Sequence, residues 1–467
     1  MSPRDPTFSR RRLLAASAGG LGTLALASLL DNDLFAARRP AARARHVIYL
    51  FMAGGPSQLD LFVPKPALAA HDGQPLPPSL AQGEHFAFIK GMPRLLASPF
   101  RFSPHGQSGA MLSSLLPRLA GVADKLTFLH AMTTTQINHA PGQIFMSSGH
   151  QIPGRPSFGA WLAYGLGSET QDLPAFVVLL SGERHPDGGQ ALWGNGFLST
   201  AHQGVELRPG PDPVLFLSNP PGIDRRARRA SLDALAALDG QRMRETGERE
   251  IEARIRNYEL AFRMQTSVPE LAALDREPPA VHRLYGTTPG RASFANHCLM
   301  ARRLVERGCR IVQLFHRGWD NHGVNRSDDL LHRLPALCAE TDGPIAALLT
   351  DLEQRGLLDS TLVVWGGEFG RTPMVEGRDG SRFLGRDHHG RAFTVWLAGG
   401  GVKPGLSHGA SDDLGYHAAS HPVSVHDLHA TLLYLLGIDH TALTYPFEGR
   451  RYRLTDVAGQ VVHPIVT

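Results

Sequence analysis

The chain has 467 residues, 42% of them hydrophobic and 19% charged, enough to bury one large core or two ordinary ones. Its formal charge of +4 is concentrated at one end: residues 1–45 carry eight arginines against Asp5, Asp31 and Asp33, leaving 39 basic against 40 acidic residues in the remainder. That balance leaves no basic stripe for nucleic acid, and Cys298, Cys309 and Cys338 lack the spacing of a cysteine metal site.

The first feature in chain order is Arg10-Arg11, set in Ser9-Arg10-Arg11-Arg12-Leu13-Leu14 and followed by an uncharged run to Leu30. The run is rich in Ala, Gly and Ser, so it is less apolar than a bilayer-spanning helix. Residues 1–45 read as a twin-arginine export signal, with Ala42-Arg43-Ala44 a candidate cut; the alternative is an uncleaved membrane anchor. The signal reading places the mature chain in the periplasm or outside the cell. It makes the twin-arginine translocase a partner during export and leaves no stable transmembrane span after cleavage.

Residues His46-Val47-Ile48-Tyr49-Leu50-Phe51-Met52 form a nearly continuous apolar run, the pattern of a strand covered on both faces. It ends at Ala53-Gly54-Gly55-Pro56 and leads to Ser57 and Asp60. Next come a predicted helix over about 111–123, a strand at 126–129, a helix at 160–166 and a strand at 175–180. Residues 182–222, rich in Gly and Pro, read as loops with short strands. From Arg225 to about Gln265, Arg and Glu interleave with Leu, Ala and Ile at helical spacing. This predicts a helical excursion (225–280) whose exit is marked by Pro269, Pro278 and Pro279. Helices at 294–307, 334–355 and 425–436 and strands at 310–315, 361–365 and 392–398 complete the pattern. Strands alternating with helices predict an α/β fold with a central, mainly parallel sheet flanked by helices. In such sheets ligands gather beyond the carboxyl ends of the strands.

Polar residues collect in the loops beside these strands. Asp60 follows the first, and Asn138-His139 follows the second. Asp320 and His322 follow Phe315, and Glu368 and Arg371 follow Trp365. Arg386-Asp387-His388-His389-Gly390-Arg391 stands just before the strand at 392–398. Imidazoles and carboxylates arriving from separate loops supply the electron-pair donors a divalent cation needs. The candidate ligands are Asp60, Asp320, His322, Glu368, His388 and His389, for zinc, manganese, iron or calcium. Plainer readings stand beside this one: a turn at Asp320-Asn321 bonding its own backbone, and an ion pair between Glu368 and Arg371.

These motifs resemble those of the alkaline-phosphatase and sulfatase superfamily. The strand 361–365 with Gly-Gly-Glu-Phe-Gly is similar to that superfamily's strand and Asp-His-Gly loop. Residues 392–405 resemble its strand and glycine-rich turn, and Val425–Leu433 with Gly437 resembles its closing helix. More narrowly, several features together resemble the uncharacterised bacterial family catalogued as domain of unknown function 1501, over nearly all of 46–460. They are the twin-arginine leader, Gly-Gly-Pro-Ser-Gln-Leu-Asp, Trp-Asp-Asn-His-Gly, Gly-Glu-Phe-Gly-Arg-Thr-Pro and Asp-His-His-Gly. Residues 461–467 are left as a tail.

The resemblance implies an alkaline-phosphatase-like fold and an exported, metal-dependent hydrolase of sulfate or phosphate esters, in which a metal lowers the pKa of bound water. His139 would be a ligand or general base, and Arg371 or Arg391 would pair with the anion of a small-molecule or glycan ester. Asp387 would orient a ligand histidine. The chain departs from the superfamily at three places, one of them the acid–histidine spacing of Asp320-Asn321-His322, which is shorter than the superfamily usually shows. His139-Ala140-Pro141 replaces the modifiable Cys or Ser before Pro, and Phe369 stands at a metal-binding histidine. The alternative is therefore a non-catalytic relative serving binding or assembly at the cell envelope, because one scaffold carries many functions.

Overall fold

Strand β1 (His46–Ala53) is buried along its whole length, and its alternation divides the core in two. Ile48, Leu50 and Met52 pack on one face, and Val47, Tyr49 and Phe51 on the other. The computed structural model describes residues 40–81, 86, 88–89, 91–181, 185–208, 213–215, 217–377 and 381–467. The arginine pair and apolar run of the export signal lie outside the described residues. Within them, no helix is long and apolar enough to cross a membrane.

The other strands of the main sheet are β2 (Thr127–Thr133), β3 (Phe176–Ser181), β4 (Val205–Leu207), β5 (Ile311–Arg317), β6 (Thr361–Gly366), β7 (Phe393–Ala398), β8 (Leu406–His408) and β9 (Val423–Ser424). Their order is β8-β2-β7-β6-β1-β5-β3-β4, with β9 also paired to β2. β1 runs parallel to β5 and β6, and β3 runs parallel to β5 and β4. β7 pairs antiparallel with both β6 and β2. The sheet is thus mixed and mainly parallel, as the alternating pattern predicts. The reversal of β7 matters for the site: residues preceding an antiparallel strand arrive at the same rim as residues following the parallel ones.

Short helix α1 (Gln58–Leu61) follows β1; α2 (His139–Ser148) and α3 (Phe158–Leu166) follow β2. Paired helices α4 (Arg225–Thr246) and α5 (Arg249–Ala272) form the excursion. Arg229 clasps Glu259 at 2.5 and 2.9 Å to join them, while Met264, Val268 and Leu271 of α5 enter the core. The helix runs through Pro269 to Ala272 rather than ending there. Helices α6 (Phe294–Glu306) and α7 (Arg333–Gln354) cover one sheet face; α3 and α8 (Val425–Leu435) cover the other.

The helix predicted over 111–123 is not formed. Ala110–Ser113 pairs antiparallel with Phe102–His105, and a single turn, Pro117–Ala120, follows. Ala110 and Leu112 are buried while Met111 between them is exposed, a period-two pattern, and Pro117 has no amide to continue a helix. The three cysteines are buried and free. At the other end of the described chain, the amides of Arg43 and Ala44 both donate to the Leu435 carbonyl, at 2.8 and 2.9 Å.

Candidate metal centre

Three loops meet at the carboxyl rim because glycine lets them touch. The Ala53 carbonyl accepts the amides of Gly318 and Trp319, each at 3.2 Å, which lays the turn after β1 against the loop after β5. Gly54 has φ +122°, and a Cβ there would come within 2.7–2.8 Å of the Trp319 and Asp320 backbone. No other residue fits so close a crossing in that conformation. The Gly54 amide then donates to both carboxylate oxygens of Glu368, at 3.0 and 3.2 Å, drawing in the loop after β6.

Asp320 lies at the centre of what this brings together. Its Oδ1 is 2.7 Å from His322 Nε2, 3.2 Å from both His139 Nε2 and His388 Nε2, and 2.6 Å from Arg371 Nη2. One ligand atom from each of His139, Asp320, His322 and His388 lies within 4.8 Å of every other. His139 opens α2. His388 sits on a two-residue ribbon, His388–His389, paired antiparallel with Gly370–Arg371.

Each imidazole is anchored from behind through Nδ1. His388 Nδ1 meets the Ile137 carbonyl at 2.6 Å, His139 Nδ1 meets Glu368 at 2.7 Å, and His322 Nδ1 meets Glu376. A carbonyl can only accept, so His388 carries its hydrogen on Nδ1 and turns a bare Nε2 lone pair toward Asp320. Burial lowers the pKa of His388 to about 4, with Arg371 adding to the effect, so the ring is neutral. Burial pushes the Asp320 carboxyl up, but Arg371, with His139 and His322, outweighs it and holds it well below the usual range. For His139, burial opposes protonation, but Asp320 and Glu368 prevail and raise its pKa to about 9. His139 Nε2 is nevertheless buried without a hydrogen-bond partner. Phe369 packs on His388 with centroids 4.6 Å apart, and Phe88 stands edge-on to His322 at 5.2 Å.

The other candidates lie as follows. Glu368 is fully buried beside the cluster, bound to Gly54, Gln143 and His139 and not to Arg371. Asp60 is outside it, fully buried and bridged to Arg386 at 2.7 and 3.1 Å, which is the environment of a structural ion pair. His389 points the other way along the ribbon, its Nε2 to the Tyr416 carbonyl. Arg371 is 1% exposed, its guanidinium spread over the Gly54, Gly55, Trp319 and Arg386 carbonyls and Asp320, so it presents no open edge to a ligand. Arg391 is exposed beside His417 at 3.4 Å, outside the cluster. Asp387 is buried and accepts the amides of His388 and Phe88, both at 2.8 Å. Glu376 and Gln143 carry no motif in the sequence that singles them out. Gln143 reaches Glu368 from one turn beyond His139 on α2, an i, i+4 relation visible once the helix is placed.

The fold and this cluster define an α/β protein with a carboxyl-rim His/Asp site able to hold a cation. The chain belongs to the family described as Protein of unknown function (DUF1501), whose sequence pattern matches residues 44–466. No curated protein matches it. Among solved structures it is similar to a protein in the alkaline phosphatase superfamily from Vibrio parahaemolyticus (12% identity, TM-score 0.38, covering 87% of this chain and 70% of that one). It is also similar to a sulfatase from Pseudoalteromonas sp. (12%, 0.36, 92% and 77%) and to the phosphonate monoester hydrolase of Agrobacterium radiobacter (11%, 0.35, 85% and 74%).

Proposed function

We propose that this protein is an exported, metal-dependent hydrolase of sulfate or phosphate esters. One observation carries the reading: the His388 Nε2 lone pair faces an ionised Asp320 oxygen at 3.2 Å. Two electron pairs in that relation repel, and a cation shared by both converts the repulsion into attraction. His139 Nε2, 3.2 Å from the same Asp320 oxygen, would join the cation on giving up its proton. His139, Asp320, His322 and His388 would hold it. Three nitrogens and one oxygen favour zinc, iron or manganese over calcium, which takes about six to eight oxygen ligands. When bound, such an ion supplies Lewis-acid polarisation of the ester and acidification of water.

The chain's own residues prepare the site. Glu368, Glu376 and the Ile137 carbonyl fix the three rings, and Arg371 holds Asp320 ionised from behind. Phe88 and Phe369 wall the rings from solvent. The test is metal analysis of protein purified without chelator, with turnover of 4-nitrophenyl sulfate and phosphate measured for wild type and His388→Ala. Bound metal with hydrolysis, both lost in His388→Ala, supports the reading; a wild type without metal or turnover removes it. A metal-replete wild type inert toward both esters instead favours the non-catalytic relative, in which Phe369 and His139 stand where the superfamily's ligand and nucleophile would be. Export is read from Arg10-Arg11 and its apolar run, and is tested by whether Arg10→Lys/Arg11→Lys strands the protein in the cytoplasm.

A further inference from the structure

A cleft of about 990 Å³ runs along α7 from Arg333 to Thr350, walled on its other side by segment 283–295, and reaches the carboxyl rim at Ser181 of β3 and His316 and Arg317 of β5. Five arginines line it: Arg118, Arg283, Arg291, Arg317 and Arg333. Glu340 is the sole lining carboxylate among the described residues, and it is engaged by His316 at 3.2 Å and lies 3.9 Å from Arg333. Arg317 pairs with Asp187 at 2.7 Å; Asp342 below Arg118 is taken up by the amides of Arg118 and Leu119, each at 2.7 Å. Arg283 and Arg291 are exposed and have no carboxylate partner among the described residues. Such an excess of guanidinium groups is unusual in a chain whose residues beyond 45 carry 39 basic against 40 acidic groups.

The cleft is wired to the cluster by contiguous polar contacts. Arg317 binds one oxygen of Asp187, and Gln143 Nε2 lies 3.3 Å from the other. Gln143 also donates to Glu368 at 3.0 Å, and Glu368 holds His139. Guanidinium is the planar, permanently charged donor suited to sulfate and phosphate oxygens, and a concave wall of one sign concentrates anions. The volume matches a ligand of several rings rather than a lone anion.

We propose that this arginine-lined cleft binds the additional sulfate or phosphate groups of a multiply charged ester whose reacting group lies at the His/Asp cluster. The proposal rests on the hydrolase reading and narrows its substrate to a polyanion. It is tested on the metal-loaded protein by titrating fluorescent sulfated dextran oligosaccharide, inorganic polyphosphate and neutral dextran, with wild type and Arg283→Gln/Arg291→Gln. Wild type binds at least one of the two polyanions, more weakly as salt rises, and does not bind neutral dextran. The double variant binds about tenfold more weakly for each arginine removed, with unchanged metal content. Preference for the sulfated oligosaccharide or for polyphosphate assigns the ester class, and either preference supports the cleft. Equal affinity of wild type and variant, or equal binding of neutral dextran, overturns it. The two failures are separable. A wild type without metal sinks the hydrolase reading, whereas metal and aryl-ester turnover with no polyanion binding sinks the cleft alone.

Discussion

Glu376→Gln probes the claim that the histidines are held for a cation rather than merely buried together. The Glu376 side chain is fully buried and accepts the His322 Nδ1 hydrogen, which leaves His322 Nε2 facing Asp320 at 2.7 Å. Replacing the carboxylate with an amide of the same shape removes the charge from that bond. A charge-assisted hydrogen bond is worth about 1.5–3 kcal/mol and a neutral one about 1 kcal/mol, so the support weakens by about 0.5–2 kcal/mol. The amide can also turn its NH₂ toward Nδ1, which moves the ring hydrogen to Nε2 and blocks coordination there. Both effects agree with the 10–100-fold loss of metal affinity, roughly 1.4–2.7 kcal/mol, typical when a residue behind a ligand histidine is changed. The assay is competition for zinc against a chelating dye at fixed pH, comparing wild type, Glu376→Gln and His322→Ala. The expected order is wild type tightest, Glu376→Gln 10–100-fold weaker, and His322→Ala weaker again. Wild-type affinity in Glu376→Gln refutes the anchoring argument. A loss as large as in His322→Ala refutes it differently, making Glu376 a ligand itself; Glu376 and Asp387 do lie within 4.8 Å of His322.

Asp60→Asn should leave metal content unchanged but lower unfolding free energy by about 3–5 kcal/mol in urea titration, since it strands the fully buried Arg386; metal loss without destabilisation would return Asp60 to the site. Gly54→Ala should cost at least about 1–3 kcal/mol and weaken zinc binding in the same dye assay, because its Cβ would press on the Asp320 backbone; unaltered affinity and stability would show that the loop crossing is not needed. Stability should also fall in acid through two buried histidines away from the cluster. Burial lowers the pKa of His297 to about 4 and of His429 to about 3, against about 6.5 when unfolded. Below pH 6.5 the unfolded chain takes up protons that the folded one refuses, so stability is full above 6.5. It declines by about 1.4 kcal/mol per pH unit per histidine down toward those lower values. A urea midpoint unchanged between pH 7.5 and 5.5 would contradict this.

The fold was legible wherever burial is total. β1, β5 and β6 are covered on both faces, so their sequences are nearly continuous apolar runs, broken in β5 by Gln313. Segment 111–123 was not legible, because Met111, Leu112, Leu115, Leu116 and Leu119 fall at helical spacing although Ala110–Ser113 forms a strand. Only the partner strand Phe102–His105 decides between helix and strand. The exit of α5 was misplaced for a related reason. Pro269 lies in the last turn, where Val268 and Leu271 are anchored in the core and hold the helix through it.

The site was legible as chemistry but only partly as geometry, and the difference follows strand direction and distance along the chain. Asp320 and His322 are readable because they follow a buried parallel strand, whose end marks the ligand-binding rim. Residues 386–391 precede a strand, and in an all-parallel sheet they would stand at the opposite rim. The antiparallel course of β7 brings them back. Which histidine of the pair faces inward depends on the register of the ribbon with Gly370–Arg371; a shift of one residue would exchange His388 for His389. Asp60 reads as a ligand because the residue that neutralises it, Arg386, is 326 positions away. Glu376 is invisible for the converse reason: an isolated carboxylate in a loop acquires its role only when His322, 54 residues earlier, is folded onto it. Residue type and proximity to a strand end therefore find the donors, whereas the groups that orient those donors are set by long-range contact.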